Sequence, residues 1–312
     1  MRLVDDAHPG NDRRMQLAAE RKMLGATLDY LILRTLAHDR NAATEEELNR
    51  RATGVSAASF EQETAKLRKI LGRFEGRFPL DPQLSYLDMG CGSGGLTLSL
   101  AKLGVNRITG VDFMPRHIER ARAYASLLGM GERVQFLCRD LRTWVPEEKY
   151  DVVLSFDAME HIDDPQASLR RMGELIAPGG VAVLAFGPLF HSPYGDHMWD
   201  FFRLQIPWRG VLFSEQALLR VRAECFRPTD TAKSYREIAG GLNLMRYSEF
   251  LRYVRQTGWA FAYLAVNTFL RNKPALRALS GRLTRTPLLQ DYFVHNVYAV
   301  LRRVDEGVPL AA

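Results

Sequence analysis

The sequence predicts an α/β fold: a doubly wound, seven-stranded, mostly parallel sheet with a helical N-terminal extension and an inserted cap. Three observations carry this. From residue 84 to residue 187, short apolar runs alternate with helical stripes across short links, as parallel strand–helix units do. The first run ends in a glycine-rich turn, Gly90, Gly92, Gly94 and Gly95, that opens a helix. Three of the runs carry an aspartate at the carboxyl end, Asp88, Asp112 and Asp140, which is where open parallel sheets bind ligands.

Residues 1–80 read as helices. Thr44 with Glu47 gives a capping-box pattern, and Leu67, Ile70, Leu71 and Phe74 form an apolar stripe at helical spacing. Gly76 and the segment from Pro79 to Pro82 end it. The core, residues 81–186, opens with the strand "LSYLDMG" and the helix "LTLSLAKLG", closed by Gly104. The strand "NRITGVDF" follows, then a helix opened by Pro115 with Ile118, Ala121, Ala125 and Leu128 on one face. "RVQFLCRD" alternates, placing Val134, Phe136 and Cys138 on one side. "YDVVLSFD" and "GGVAVLAFG" are buried runs flanking a helix with Leu169, Met172 and Leu175. Residues 247–303 return to the sheet, with a helix at 247–259, the strand-like "AFAYLAV" and a last strand over 292–303. Residues 187–246 are not needed by the sheet and form the cap, in which "IPWRGVLFSEQALLR" predicts a short helix with Trp208, Leu212 and Phe213 packing inward.

The chain has 312 residues, enough for one large domain with a cap, and 46% hydrophobic with 25% charged residues is ordinary for a globular protein. The start, "MRLVDDAHPGNDRR", lacks an apolar core, and no apolar run reaches bilayer length, so a cytoplasmic setting is expected. Three scattered cysteines, Cys91, Cys138 and Cys225, build neither a disulfide framework nor a zinc site. The net charge of +6 is uneven: no acid lies between Phe250 and Gln290, while Arg252, Arg255, Arg271, Lys273, Arg277, Arg282 and Arg285 do. That stretch can attract an anionic substrate or a membrane surface, or be a solvated helix face.

The glycine turn by itself also suits dinucleotide folds, although their third glycine follows two intervening residues and here the spacing is Gly90, Gly92, Gly94. With the acids, the stretches "LDMGCGSGGLTLSLA", "GVDF", "FLCRDLR", "YDVVLSFDAMEHIDDP" and "LIAPGGVAVLAF" resemble the class I S-adenosylmethionine-dependent methyltransferases, a Rossmann-like family. The resemblance is strongest over 85–186 and implies S-adenosylmethionine as cofactor. It implies that Asp88, Gly90, Gly92 and Gly94 face the methionine part and that Asp112 holds the ribose. Phe113 would pack on the adenine, Asp140 and Leu141 would lie beside it, and Phe156 with Asp157 would line the methyl-donor end. The fourth strand runs into "SFDAMEHIDD" and lacks the Asn/Asp-Pro-Pro-aromatic loop of amino-methylating relatives, so it looks like the small-molecule branch.

A phenol or alcohol acceptor gains from a base, and histidine titrates in the useful range. The candidates are His161, after the fourth strand, and His191 and His197, in the aromatic stretch "GPLFHSPYGDHMWDFF" after the fifth. Tyr194, Trp199 and Phe202 would wall an acceptor pocket, or else the aromatics staple the cap to the sheet. Two histidines with Asp196 at this spacing do not make a metal site. His8, His38, His117 and His295 are set aside as structural.

The expectation is a methyltransferase for a small, partly apolar molecule, with O-methylation and a cap histidine as base. One alternative is a lipid-linked or membrane-associated glycan or macromolecule as acceptor, with Leu270, Leu276, Leu279 and Leu283 forming an interfacial helix. Another is a non-catalytic binding protein. No nucleic-acid partner is expected, since aromatic and basic residues do not interleave. The N-terminal helices would either cap the pocket or pair two copies into a homodimer.

Overall fold

The structure, a computed structural model, describes residues 25–38, 57–198, 201–227, 230–238, 240–269 and 276–304. In chain order these form helix α1 over 25–36, α2 (Ala57–Leu71), a 3-10 turn (Gly72–Phe74), β1 (Ser85–Met89), α3 (Gly95–Lys102), β2 (Arg107–Asp112), α4 (Pro115–Leu127) and β3 (Val134–Cys138). Next come β4 (Tyr150–Phe156), a 3-10 turn (Met159–His161), α5 (Pro165–Leu175) and β5 (Ile176–Phe186). The cap supplies α6 (Arg209–Leu212) and α7 (Glu215–Cys225), and the chain closes with α8 (Tyr247–Gln256), β6 (Trp259–Asn267), α9 (Arg277–Leu283), α10 (Gln290–Phe293) and β7 (Asn296–Arg303).

The seven strands stand in the order β3-β2-β1-β4-β5-β7-β6, parallel except that β7 runs antiparallel to both neighbours. Side chains alternate across this sheet with period two. Val152, Leu154, Val181, Val183, Tyr298 and Val300 face α2, α3 and α4, and Val153, Ala182, Leu184, Phe186, Val297 and Leu301 face α5 and α8. The central strands are buried on both sides, which is why they read as unbroken apolar runs. Asp164 starts α5 by accepting the N–H of Ala167 at 2.8 Å ahead of Pro165, so that helix begins where a side-chain cap and a pre-set φ coincide.

A third core belongs to the cap. Met198, Phe202, Leu218, Val221, Phe226 and Tyr235 pack together with Leu33 and Ala37 of the N-terminal region. The two described N-terminal helices therefore part company: α1 joins the cap, whereas α2 joins the sheet. A buried ion pair pins the cap, with Arg209 Nε and Nη2 donating to the two oxygens of Asp196 at 2.8 and 3.1 Å and both side chains at most 1% exposed.

Several sequence expectations change. The last strand starts at Asn296 and not at residue 292, because Tyr292 N and Phe293 N bond back to Leu289 O and coil that stretch into α10. The cap helix is two helices, broken where Phe213 and Ser214 take extended backbone. Leu212 points outward at 62% exposure, since the four-residue α6 turns only one face to the cap core. Leu279 of α9 is 48% exposed. The Thr44–Glu47 pattern, Leu270, Arg271 and Lys273 lie outside the described residues. No helix among the described residues is long and apolar enough to cross a membrane.

Candidate active site

The carboxyl ends of β1, β2 and β4 converge on one crevice, and each acid there is held differently. Asp88 is buried at 2% exposure and accepts a hydrogen bond from Thr97 Oγ1 at 2.6 Å. Burial pushes its carboxyl up to about 6, against the pull of the Thr97 bond. After β1 the chain turns back, with Gly90 N and Cys91 N both donating to Val111 O at 2.8 and 3.1 Å. At Gly94, φ is +82°, and a Cβ would stand 2.7 Å from the Phe136 ring, so only glycine fits the turn into α3.

Asp112 is the hub. One carboxylate oxygen accepts Gly92 N at 3.1 Å and the other accepts Met114 N at 2.8 Å. His117 Nδ1 lies 3.3 Å from the second oxygen. The carboxylate is thus fixed in direction and keeps one lone pair open on the oxygen that accepts Gly92 N, while His117 holds the place of a second donor on the other. Phe113, 71% exposed beside it, offers an unburied ring face for an adenine. His117, set aside in the sequence as structural, touches this acid; its i, i+5 spacing from Asp112 is a weak signal that a strand–helix turn makes sense of.

Asp140 is held by a neighbour in sequence. Its carboxylate is taken up by its own neighbour Arg142, through Nε at 2.9 Å, Nη2 at 2.7 Å and the backbone N at 2.9 Å. The Arg142 guanidinium holds it down at about 2. Leu141 packs half-buried against the sheet and its carbonyl accepts from Arg171 Nε at 2.7 Å.

At the end of β4, Phe156 stacks on Phe74 with ring centres 6.2 Å apart, and Asp157 takes φ of +49°. Asp157 accepts from Lys66 Nζ at 2.8 Å, and Glu63 presses on Gly95, where a Cβ would lie 2.3 Å from its carboxylate. Lys66 and Glu63 both come from α2. This helix therefore reaches the carboxyl edge beside β4, a contact between residues too far apart in the chain for any sequence pattern to reveal.

The histidines separate into two places. His161 and His197 meet edge to face with ring centres 5.4 Å apart. His161 Nδ1 lies 2.6 Å from Gly241 O and His197 Nε2 lies 3.1 Å from Pro188 O. A carbonyl only accepts, so those nitrogens carry hydrogen, and the basic atoms are His161 Nε2 and His197 Nδ1. His161 is exposed, whereas burial lowers the affinity of His197 for a proton. His191 stands elsewhere, against Phe190 and Tyr292, under the charges of Arg246, Asp291 and Glu249. Its Nδ1 is sealed from solvent without a hydrogen-bond partner among the described residues. His295, which meets Ser192 Oγ at 2.9 Å, is held down at about 4 by burial and by His197.

The loop bearing His161 is clamped from the cap. Asn243 Nδ2 donates to Met159 O and Ile162 O at 2.7 and 2.8 Å, and Glu160 accepts Gly187 N at 3.0 Å. Of the expected pocket wall, Tyr194 is half-buried against Phe269 and His295. Phe202 does not line a pocket: it is 2% exposed inside the cap core under the Arg209 guanidinium, because the cap needs its own apolar centre. Trp199 lies outside the described residues. Asp196, between the two cap histidines in sequence, is occupied by Arg209.

Residues 87–180 match the family model described as a methyltransferase domain. Among curated proteins, the ubiquinone biosynthesis O-methyltransferase of Cereibacter sphaeroides is 39% identical over 106 residues, covering 32% of this chain and 40% of that protein. The trans-aconitate 2-methyltransferase of Streptomyces avermitilis is 34% identical over 116 residues, 37% of this chain and 43% of that one. The mitochondrial ubiquinone biosynthesis O-methyltransferase of Arabidopsis thaliana is 32% identical over 103 residues, 33% of this chain and 32% of that one. The chain thus spans between about a third and a half of the length of these relatives. The matched segment runs from within β1 into β5 and includes the glycine turn, Asp88, Asp112, Asp140 and His161. Over residues 87–180 this chain is therefore similar to a methyltransferase domain.

Proposed function

We propose that the chain methylates an oxygen of a small, partly apolar molecule, with His161 as the base. The observation that carries this is the fixed tautomer of His161: Gly241 O holds its Nδ1 and leaves Nε2, basic and exposed, on the loop that follows β4. When bound, S-adenosylmethionine supplies a sulfonium methyl for in-line transfer. Asp112 and Phe113 hold its nucleoside, and Asp88, Gly90, Gly92 and Gly94 shape the turn around its methionine part. Asp140 joins the adenine side once its Arg142 contact is exchanged, with Leu141 beneath. Phe156 and Asp157 border the reacting end, with Lys66 of α2 against Asp157. His161 Nε2 takes the hydroxyl proton as the oxygen is alkylated. His197 supports His161 by edge-on packing, and Tyr194 with Phe269 forms an apolar wall for the acceptor.

Oxygen as the methylated atom is supported by relatives whose names call them O-methyltransferases. His161 displaces the cap histidines as first choice, because His191 makes its ring contacts with Phe190 and Tyr292 and burial lowers the affinity of His197 for a proton. The test is methyl transfer from labelled S-adenosylmethionine to a panel of phenols and carboxylic acids, with His161→Gln beside the wild type. The expected result is turnover lost by about 100-fold or more, the scale of general-base catalysis, with unchanged S-adenosylhomocysteine affinity. Turnover that survives His161→Gln removes the base assignment and leaves positioning as the source of rate.

A further inference from the structure

A cavity of about 270 Å³ lies at the outer end of the carboxyl edge, away from the acids described above. It is half open to solvent and lined by Gly72, Arg73 and Glu75, the end of β6, Tyr298 of β7 and α9. We propose that it binds a small oxyanion, a molecule carrying a carboxylate or a phosphate.

Three features point to that chemistry. Thr268, 8% exposed, lines the cavity, and its Oγ1 is sealed from solvent with no hydrogen-bond partner among the described residues. The protein itself leaves that buried hydroxyl without a partner among the described residues. Arg73 is half-buried in the same wall, and its guanidinium has neither an ion pair nor a hydrogen bond among the described residues. The backbone carbonyl of Arg73 accepts Tyr263 Oη at 2.7 Å, which fixes the turn that presents the side chain. Asn267 gives one N–H to Tyr298 Oη at 3.3 Å and keeps the other.

The surroundings favour an anion over a cation or a neutral polyol. Arg282 and Arg285, exposed and without ion pairs among the described residues, follow from the helix that closes the cavity. Glu75 is the acid in the lining, and it is exposed at the rim, where water screens it. A guanidinium in a half-buried wall is stabilised by a bidentate oxyanion more than by a neutral hydroxyl. A cavity of about 150 Å³ accommodates a benzene ring, so this one admits roughly a dozen non-hydrogen atoms. The pocket is also one ring from the methyl-donor end, since Phe74 meets Tyr298 edge-on at 6.0 Å and stacks on Phe156.

The site rests on the cavity and not on the methyltransferase reading, so the two are tested apart. Citrate and glycerol 3-phosphate are titrated calorimetrically at constant ionic strength into wild type, Arg73→Gln and Thr268→Val, with S-adenosylhomocysteine titrated into all three. One anion is expected to bind with 1:1 saturation, which distinguishes a carboxylate from a phosphate. Arg73→Gln should weaken it by about tenfold or more and Thr268→Val by several-fold, with S-adenosylhomocysteine unaffected. Saturable binding of neither anion, or binding that ignores both substitutions, overturns the proposal. If Arg73→Gln does not fold by circular dichroism, Thr268→Val decides alone, and an unchanged affinity there overturns it.

Discussion

Asp88→Asn should make the cofactor-free protein more stable, although it removes a side chain from the crevice. Burial raises the Asp88 carboxyl from 3.8 to about 6, so the native state binds its proton more tightly than the unfolded chain does. The sign follows from linkage: stability falls as pH rises through that window, and the whole penalty is present above it. Roughly two pH units at about 1.36 kcal/mol each amount to about 3 kcal/mol for this fully buried group. Asparagine keeps an oxygen for Thr97 Oγ1 and carries no charge, but buries an N–H₂ that costs about 1 kcal/mol unpaired. The net expectation is a gain of about 2 kcal/mol near pH 7.5 and no gain near pH 4, where the native carboxyl is already neutral. Urea denaturation at those two pH values, without cofactor, measures both numbers. Should the variant be no more stable than wild type near pH 7.5, or show the same pH slope, burial does not govern Asp88. S-adenosylhomocysteine affinity, measured alongside, should fall, which would make the wild-type carboxylate a stability cost retained for the ligand.

Asp112→Ala should weaken S-adenosylhomocysteine by tenfold or more while leaving the fold intact, because the backbone N–H groups of Gly92 and Met114 face water once freed; calorimetric titration reads it. Gly94→Ala should cost about 2–4 kcal/mol in denaturant unfolding, combining left-handed backbone strain with a clash against Phe136. Asp196→Asn should destabilise the cap by about 3–5 kcal/mol, since Arg209 would remain buried and charged without its partner; limited proteolysis between residues 187 and 246 should rise in step.

The strand–helix alternation, the glycine turn and the placement of Asp88 and Asp112 were legible from residues alone, because each depends on contacts within about twenty positions: periodicity, a positive-φ turn, an acid at a strand end. The proposed cofactor half of the site is of this local kind. The cap and acceptor side were not legible in the same way. Phe202 looked like a pocket wall because it is aromatic and near histidines, yet the cap consumes it, a choice made by packing with Leu33 and Phe226 from distant segments. His191 and His197 looked equivalent in sequence, but the loop sends their rings to different neighbours.

What the sequence by itself determined is therefore the sheet and the glycine turn and acids at its carboxyl edge, since their signals are short-range and repeat along the chain. Only the tertiary structure decided which lone pairs remain open. Arg142 takes those of Asp140, Gly241 O leaves those of His161 Nε2 accessible, and α2 brings Lys66 to Asp157 across ninety-one residues of chain. Hydrogen-bond partners separated that far are set by how whole elements pack, and no local pattern of residue types encodes them.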